Sequence, residues 1–471
     1  MVREAATEGL PSGASGDDPP AREGHREPMS ETTLPPGDRG LPLLGETLDF
    51  LKDQFHFVDA HQARYGKVFR SNILFKDTAL LVGAEGARIF NDESKVQRSG
   101  GMAPHIADLF GGTSLPLLDG EPHRQRKQQV MGAFTREALT QYLPVMDSVV
   151  ARYLERWSAA GESTLTEDLK KLALEVIART MVGSEGGKEF EENVADFKVM
   201  VKAFTAIPVP IPGTAFAKAK AAQGRIFERY RRVLAERVAK PTDDGLSRML
   251  ATPAEDGTRI AGEDAIKELH HFNLAGYITF AHMAHGLVAL AQDDKLRERL
   301  RAEIAEHVGA GPITVEALHR MPLLENITRE MKRRAPFVAV SFGKAKSEFT
   351  LEGKTVPAGW MVMLCNFASG NDPELFADPE RFDPDRFAEG RAEDQKHPTG
   401  FFPQGVGEPL KGHKCAGVDF STLLMKAFMV RLVRDYDTKL PKQDLSYQWE
   451  KIPPEYASGL RAVLSPVPSA P

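Results

Sequence analysis

The chain has 471 residues, with 42% hydrophobic and 27% charged side chains, which is the balance of a folded globular protein. Its net charge of -6 excludes nucleic acid or an anionic membrane surface as the main partner. Two cysteines, Cys365 and Cys415, exclude a disulfide framework and fit a reducing cytoplasm.

Residues 1–38 are rich in Pro, Gly, Glu and Ser and carry no apolar periodicity, so they read as a disordered extension. Met29 opens MSETTLPPGDRGLPLLGET and competes with Met1 as the start. No apolar signal region precedes it. Residues 44–66 have helical spacing, and 67–75 and 78–83 read as strands with bends between them. After Asp119 the pattern is mostly helical as far as Glu330, including 136–157, 165–183 and 264–277. Residues 272–291 are long and apolar enough to span a bilayer. His282 and His285 lie inside that stretch and acids follow it, so a buried central helix is expected and no transmembrane anchor. Short strands return over 338–356, a Pro- and Asp-rich meander covers 371–387, and a last helix covers 419–433. No repeat and no clean linker interrupt 39–465, which reads as one large, mainly α (α+β) domain with small sheets.

The chemistry concentrates in residues 401–420, FFPQGVGEPLKGHKCAGVDF. Four glycines let the backbone turn tightly, and Cys415 stands just before a helical run whose free N–H groups favour a thiolate. Lys411, His413 and Lys414 flank it. This loop resembles the haem-binding loop of the cytochrome P450 family. Cys415-Ala416-Gly417 fits the family's ending, while Glu408 replaces the usual Phe and His413 the usual Arg. The long PQGVG–GHKCAG form is similar to the fatty-acid peroxygenase branch.

Three further segments carry the resemblance. Glu330 and Arg333 share a helix face before Pro336, and the family locks such a pair with a meander arginine, here Arg386. PERF at 379–382 comes too early for that role, and Glu298 with Arg301 matches the same short pattern as a solvated helix face. In 119–134 the resemblance places His123 and Lys127 on the haem propionates, with Arg126 as a rival. Ala275-Gly276-Tyr277-Ile278-Thr279 resembles the central-helix signature, in which the small pair opens the helix for dioxygen and Thr279 assists its activation. Ile278 stands where that signature has an acid, leaving proton delivery to water, His282 or a substrate group. The arginine of the peroxygenase branch is absent, because no Arg or Lys lies between Lys267 and Lys295. His270, His271, His282 and His285 read as structural histidines.

The resemblance spans roughly 34–464 and implies the cytochrome P450 fold. It implies haem b (iron protoporphyrin IX) held between the central helix and Cys415, with Ala275, Gly276, His413 and Gly417 beside it. It further implies a monomeric cytoplasmic monooxygenase that oxidises a small apolar lipid or terpenoid with O2. Electrons would come from a separate ferredoxin and ferredoxin reductase, since no flavin or nicotinamide motif is present. The alternatives are a peroxide-dependent peroxygenase or haem isomerase, and a non-enzymatic haem-binding protein. Residues 203–216, with their apolar TAIPVPIPGTAF, belong to a specificity segment.

Overall fold

In a computed structural model the described residues are 33–42, 44–206, 208–410 and 412–467. Most of the expected extension, both candidate start methionines and Lys411 lie outside them. Residues 33–38 do not behave as part of an extension. Thr33 bridges to Lys354, the Pro36 carbonyl accepts from the Arg70 N–H, and Asp38 pairs with Arg64. The domain therefore starts a few residues earlier than composition places it, because backbone pairing engages residues whose side chains carry no apolar signal.

A five-stranded sheet joins strands from residues 68–97 to strands from residues 340–365. Its strands are β1 (Val68–Ile73), β2 (Lys76–Leu81), β3 (Val96–Gln97), β4 (Val340–Ala345) and β5 (Met361–Cys365), in the order β1-β2-β5-β4-β3. The β2–β5 pair is parallel, with Leu80 beside Met363, and the other pairs are antiparallel. Strand β5 is buried along its whole length, so it lacks the alternation by which half-buried strands are recognised. Smaller sheets gather strands from the middle and end of the chain, among them Glu162–Thr164 with Arg461–Pro466.

The helices form the body. Helix α1 (Gly120–Met131) carries His123 and Lys127. Helix α2 (Arg136–Ala160) starts where the Thr135 side chain accepts from the Ala138 N–H, and it stops at Gly161. Its buried stripe runs Leu139, Tyr142, Met146, Val149, Tyr153 and Trp157. It packs on α3 (Thr166–Val182), which ends at Gly183 in the left-handed region, and on the C-terminal α7 introduced below. The central stretch is two helices, α4 (Gly262–Tyr277) and α5 (Thr279–Gln292), separated at Ile278. This stretch is long and apolar enough to cross a membrane, yet 67% of its most apolar window is buried inside the protein, as befits a core helix. Helix α6 (Pro322–Arg334) carries Glu330 and Arg333, and α7 (Val418–Asp435) follows the cysteine.

The Ala275–Gly276 pair has two roles. A Cβ on Gly276 would lie 1.9 Å from Ile177 Cδ1, so this glycine is where α3 presses against α4. Gly276 thus also belongs to a helix contact, beside the role expected of it at the cofactor. Overpacking a tight contact of this kind costs about 1–3 kcal/mol. Gly276→Val is expected to lower stability by about that amount in chemical denaturation, and Ile177→Ala in the same chain should recover part of the loss.

Candidate functional site

The end of α6 is tied to the meander by buried charge. Arg333 donates to both Glu330 oxygens, from Nε to Oε2 at 2.8 Å and from Nη2 to Oε1 at 2.7 Å. Arg386 Nε donates to the same Oε1 at 3.1 Å, and the Asp383 N–H donates to it at 2.8 Å. All three side chains are buried. The remaining guanidinium donors are spent on meander carbonyls: Arg333 Nη1 on Gly370 and Pro379, and Arg386 on Ala377 and Arg381. The network therefore forms with Arg386, and the Arg381 side chain is exposed. Sequence reasoning missed the second acid, Glu393, which accepts from Arg386 Nη1 at 2.7 Å and also pairs with Arg391. It lies in an irregular stretch with no motif of its own. Glu298 and Arg301 do not pair with each other here; Arg301 reaches Asp437 and the Val433 carbonyl.

Lys332, on the same helix, points the other way and donates to Thr422 Oγ1 on α7 at 2.6 Å. Gln404 Nε2 donates to Ser421 Oγ, and the Cys415 N–H donates to the Gln404 carbonyl at 2.8 Å. Gly405 has φ +86°, and a Cβ there would lie 3.1 Å from the His413 carbonyl, so only glycine lets the two limbs of the loop close. These contacts hold Cys415 half-buried at the approach to α7. Burial pushes its thiol up, while the Gly417 N–H, Lys127 and Lys332 pull the other way. Cys365 is fully buried in β5, and burial, with a smaller push from Asp59, drives its thiol far up, as for an inert core cysteine.

Above one side of this loop four basic groups converge. Lys127 Nζ donates to the Lys414 carbonyl, and the His123 and His413 rings lie 4.0 Å apart. Both His123 and Lys127 are 1% exposed. Burial lowers His123 to about 4 and Lys127 to about 8. The fourth, Arg98, was missed by sequence reasoning because a lone arginine after a two-residue strand carries no pattern. It is buried over the Phe90 ring at 3.9 Å, and burial lowers it to about 10. Arg126, the expected rival of Lys127, is engaged elsewhere, with Asp264 at 2.6 Å and the buried Glu268 at 2.9 Å.

Among the described residues, His123 Nδ1 and His413 Nε2 are buried without a hydrogen-bond partner. Glu93, His123 and His413 also present ligand-type atoms within 4.8 Å of one another. The surrounding Arg98 and Lys127 disfavour a further cation there and favour an anion. A planar cofactor bearing two carboxylates and an iron open to thiolate fits this donor set, with basic groups at one edge and a sulfur below.

The central helix is interrupted at Ile278. Thr279 begins α5 and is 3% exposed. Thr140, Thr180 and Thr252 each donate to a carbonyl four residues back, whereas Thr279 has no partner among the described residues. The Ala281 N–H reaches the Ile278 carbonyl, a tightened turn that marks the break.

The sequence profile described as cytochrome P450 matches residues 35–452. This chain belongs to the cytochrome P450 family. Its cofactor is therefore haem, and its activity that of an oxidoreductase. It is 29% identical over 423 residues to the putative cytochrome P450 120 of Synechocystis sp., covering 88% of this chain and 94% of that one. It is 28% identical over 421 residues to abscisic acid 8'-hydroxylase 2 of Oryza sativa subsp. indica, covering 86% and 81%. Among solved structures, retinoic acid-bound cyanobacterial CYP120A1 superposes with a TM-score of 0.86 at 28% identity, covering 93% of this P450 and all of that chain. The P450 fold expected from sequence is the fold observed.

The buried network generates a direct test. Removing one partner of a buried ion pair strands the other charge at a cost of about 3–5 kcal/mol. Arg386→Ala is expected to destabilise this P450 by about that much and to yield haem-poor protein, measured by denaturation and haem content. Arg381→Ala should stay close to the parent, and the reverse order would contradict the network.

Proposed function

We propose that this P450 is a haem–thiolate monooxygenase that hydroxylates a small, largely apolar isoprenoid-type molecule. The observation that carries the reading is the buried basic cluster set against the Cys415 loop, and the break of the central helix before Thr279 supports it. Cys415 is the residue placed to ligate iron. Arg98, His123, Lys127 and His413 would bind the propionates, and Ala275 and Gly417 would lie beside the cofactor. Haem, when bound, supplies the oxidation of an unactivated C–H bond using oxygen and electrons.

The chain's own part is orientation, dryness and protons. The buried helices around α4 and α5 keep water out of the site. The free Thr279 hydroxyl donates one hydrogen bond and accepts others, so it can hold a water or an oxygen species at the helix break. The substrate class rests on the relatives. One is named for abscisic acid and another is bound to retinoic acid, and both compounds are isoprenoid acids with apolar bodies. The partners proposed are a ferredoxin and its reductase, acting on a monomer in the cytoplasm. The two free cysteines suit a reducing compartment.

The peroxygenase alternative is weighed at Ala275. The central helix offers no cation to a fatty-acid carboxylate there, which favours oxygen and redox proteins over peroxide. Purified enzyme with surrogate ferredoxin, reductase and NADPH is expected to hydroxylate members of a retinoid and terpenoid panel. Thr279→Ala should divert much of the electron flow to hydrogen peroxide, by about tenfold or more on the scale of lost proton-transfer assistance. Fast turnover with peroxide alone, no turnover with redox proteins and no effect of Thr279→Ala would overturn the reading.

A further inference from the structure

Four histidines lie on the central helices, and three of them have partners. His270 Nε2 bonds the Leu109 carbonyl at 2.8 Å, His271 Nδ1 pairs with Glu268 at 3.1 Å, and His285 Nδ1 bonds Tyr447 Oη at 2.9 Å. His282 is different. It is 4% exposed, and neither ring nitrogen has a hydrogen-bond partner among the described residues. A core histidine kept for structure alone would be expected to spend at least one nitrogen on a neighbour.

Its place on the helix gives the orphaned ring a use. Thr279 and His282 are three residues apart in the first turn of α5, so they share a face just after the break at Ile278. Ala275 lies two turns before His282 on that side of the central stretch. Tyr277 is turned away, packed against Phe197 at 5.1 Å and Phe280 at 5.3 Å. Ile278 has no proton to give. His282 is therefore the one titratable side chain of 275–282 on the Thr279 face. Its ring rests on Phe337 at 4.5 Å, which fixes its plane.

We propose that His282 is the proton-passing group of the oxygen site, in the position of function that a carboxyl beside Thr279 would otherwise fill. The inference rests on the monooxygenase reading. Burial, then Lys332 and His285, hold the imidazole at about 3, so it is neutral near pH 7. A neutral ring carries one N–H and one lone pair. It passes a proton without gaining charge: one nitrogen gives its hydrogen to an oxygen acceptor on the Thr279 side while the other takes one from a hydrated proton supplied by bulk solvent, which leaves neutral water behind. One N–H bond breaks and one forms, no electrons change hands, and the ring ends as its other tautomer. A half-turn of the ring about its Cβ–Cγ bond restores the first tautomer with the ring plane unchanged, ready for the next proton.

The test uses haem-loaded wild type, His282→Phe and His282→Gln. The first readout is the infrared C–O stretch of the ferrous–CO form in H2O and D2O, which senses a hydrogen bond at the oxygen site without turnover. The second is product formed with oxygen and redox proteins. The third is product formed with iodosylbenzene, an oxygen-atom donor that needs no proton delivery. His282→Phe should raise the C–O frequency and remove its sensitivity to D2O. It should cut oxygen-driven product on the order of 10²-fold, the low end of general acid–base contributions, and leave iodosylbenzene-driven product within about twofold. His282→Gln has a donating amide but no tautomer to exchange, so it should keep the C–O frequency and still lose oxygen-driven product. An unmoved C–O band in His282→Phe, or wild-type oxygen-driven turnover in His282→Gln, would overturn the proposal. A wild type that fails with oxygen altogether contradicts the monooxygenase reading instead, and the infrared comparison still decides whether His282 faces the oxygen site.

Discussion

The carboxylate of Glu330 is the constraint on which the site depends. It is fully buried, and four N–H donors from two arginines and the Asp383 backbone converge on it. A buried carboxylate is tolerable only when its charge is matched and its lone pairs are filled, and removing either arginine leaves the rest uncompensated. That requirement makes the end of α6 and the irregular meander one body. From the same helix Lys332 reaches α7, so the loop between meander and α7 is anchored at both ends. Cys415 lies on that loop. The precision of a single sulfur is thus secured by a salt-bridged network more than a dozen residues away in sequence.

A buried cluster of basic groups is the second organising feature. Arg98, His123, Lys127 and His413 come from three separated parts of the chain, and burial depresses the proton affinity of all four. Such a cluster is unfavourable by itself and would become favourable if, as proposed, the haem propionates enter it. Cofactor binding and folding are linked at this point, since whatever binds only the folded state stabilises it.

Sequence carried the parts of this account that have a local signal. The Gly-rich loop around Cys415 and the spacing of Glu330 and Arg333 are short-range patterns, while Arg386 in the meander and the helical face of His123 and Lys127 were singled out by the resemblance to the family. The main helices have a local signal too: 136–157 and 165–183 were read from periodicity and lie within Arg136–Ala160 and, but for one residue at each end, Thr166–Val182. What was missed depends on long-range packing. Arg98 and Glu393 sit in irregular segments and acquire their meaning only from neighbours far away in the chain. Strand β5 is apolar on both faces and shows no alternation. The Ala–Gly pair read as one feature, although Gly276 serves the contact with Ile177. Sequence offered His282 as one proton source among others, and its two unpartnered ring nitrogens separate it from its three neighbours.

The central claim is that Cys415 is the iron ligand, held by this scaffold as a thiolate. The ferrous–CO difference spectrum reads that bond directly, because thiolate ligation shifts the Soret band strongly to the red. Wild type and Cys365→Ala are expected to show the shifted band, and Cys415→Ala is expected to lose it. A shifted band that survives Cys415→Ala and disappears in Cys365→Ala would contradict the account.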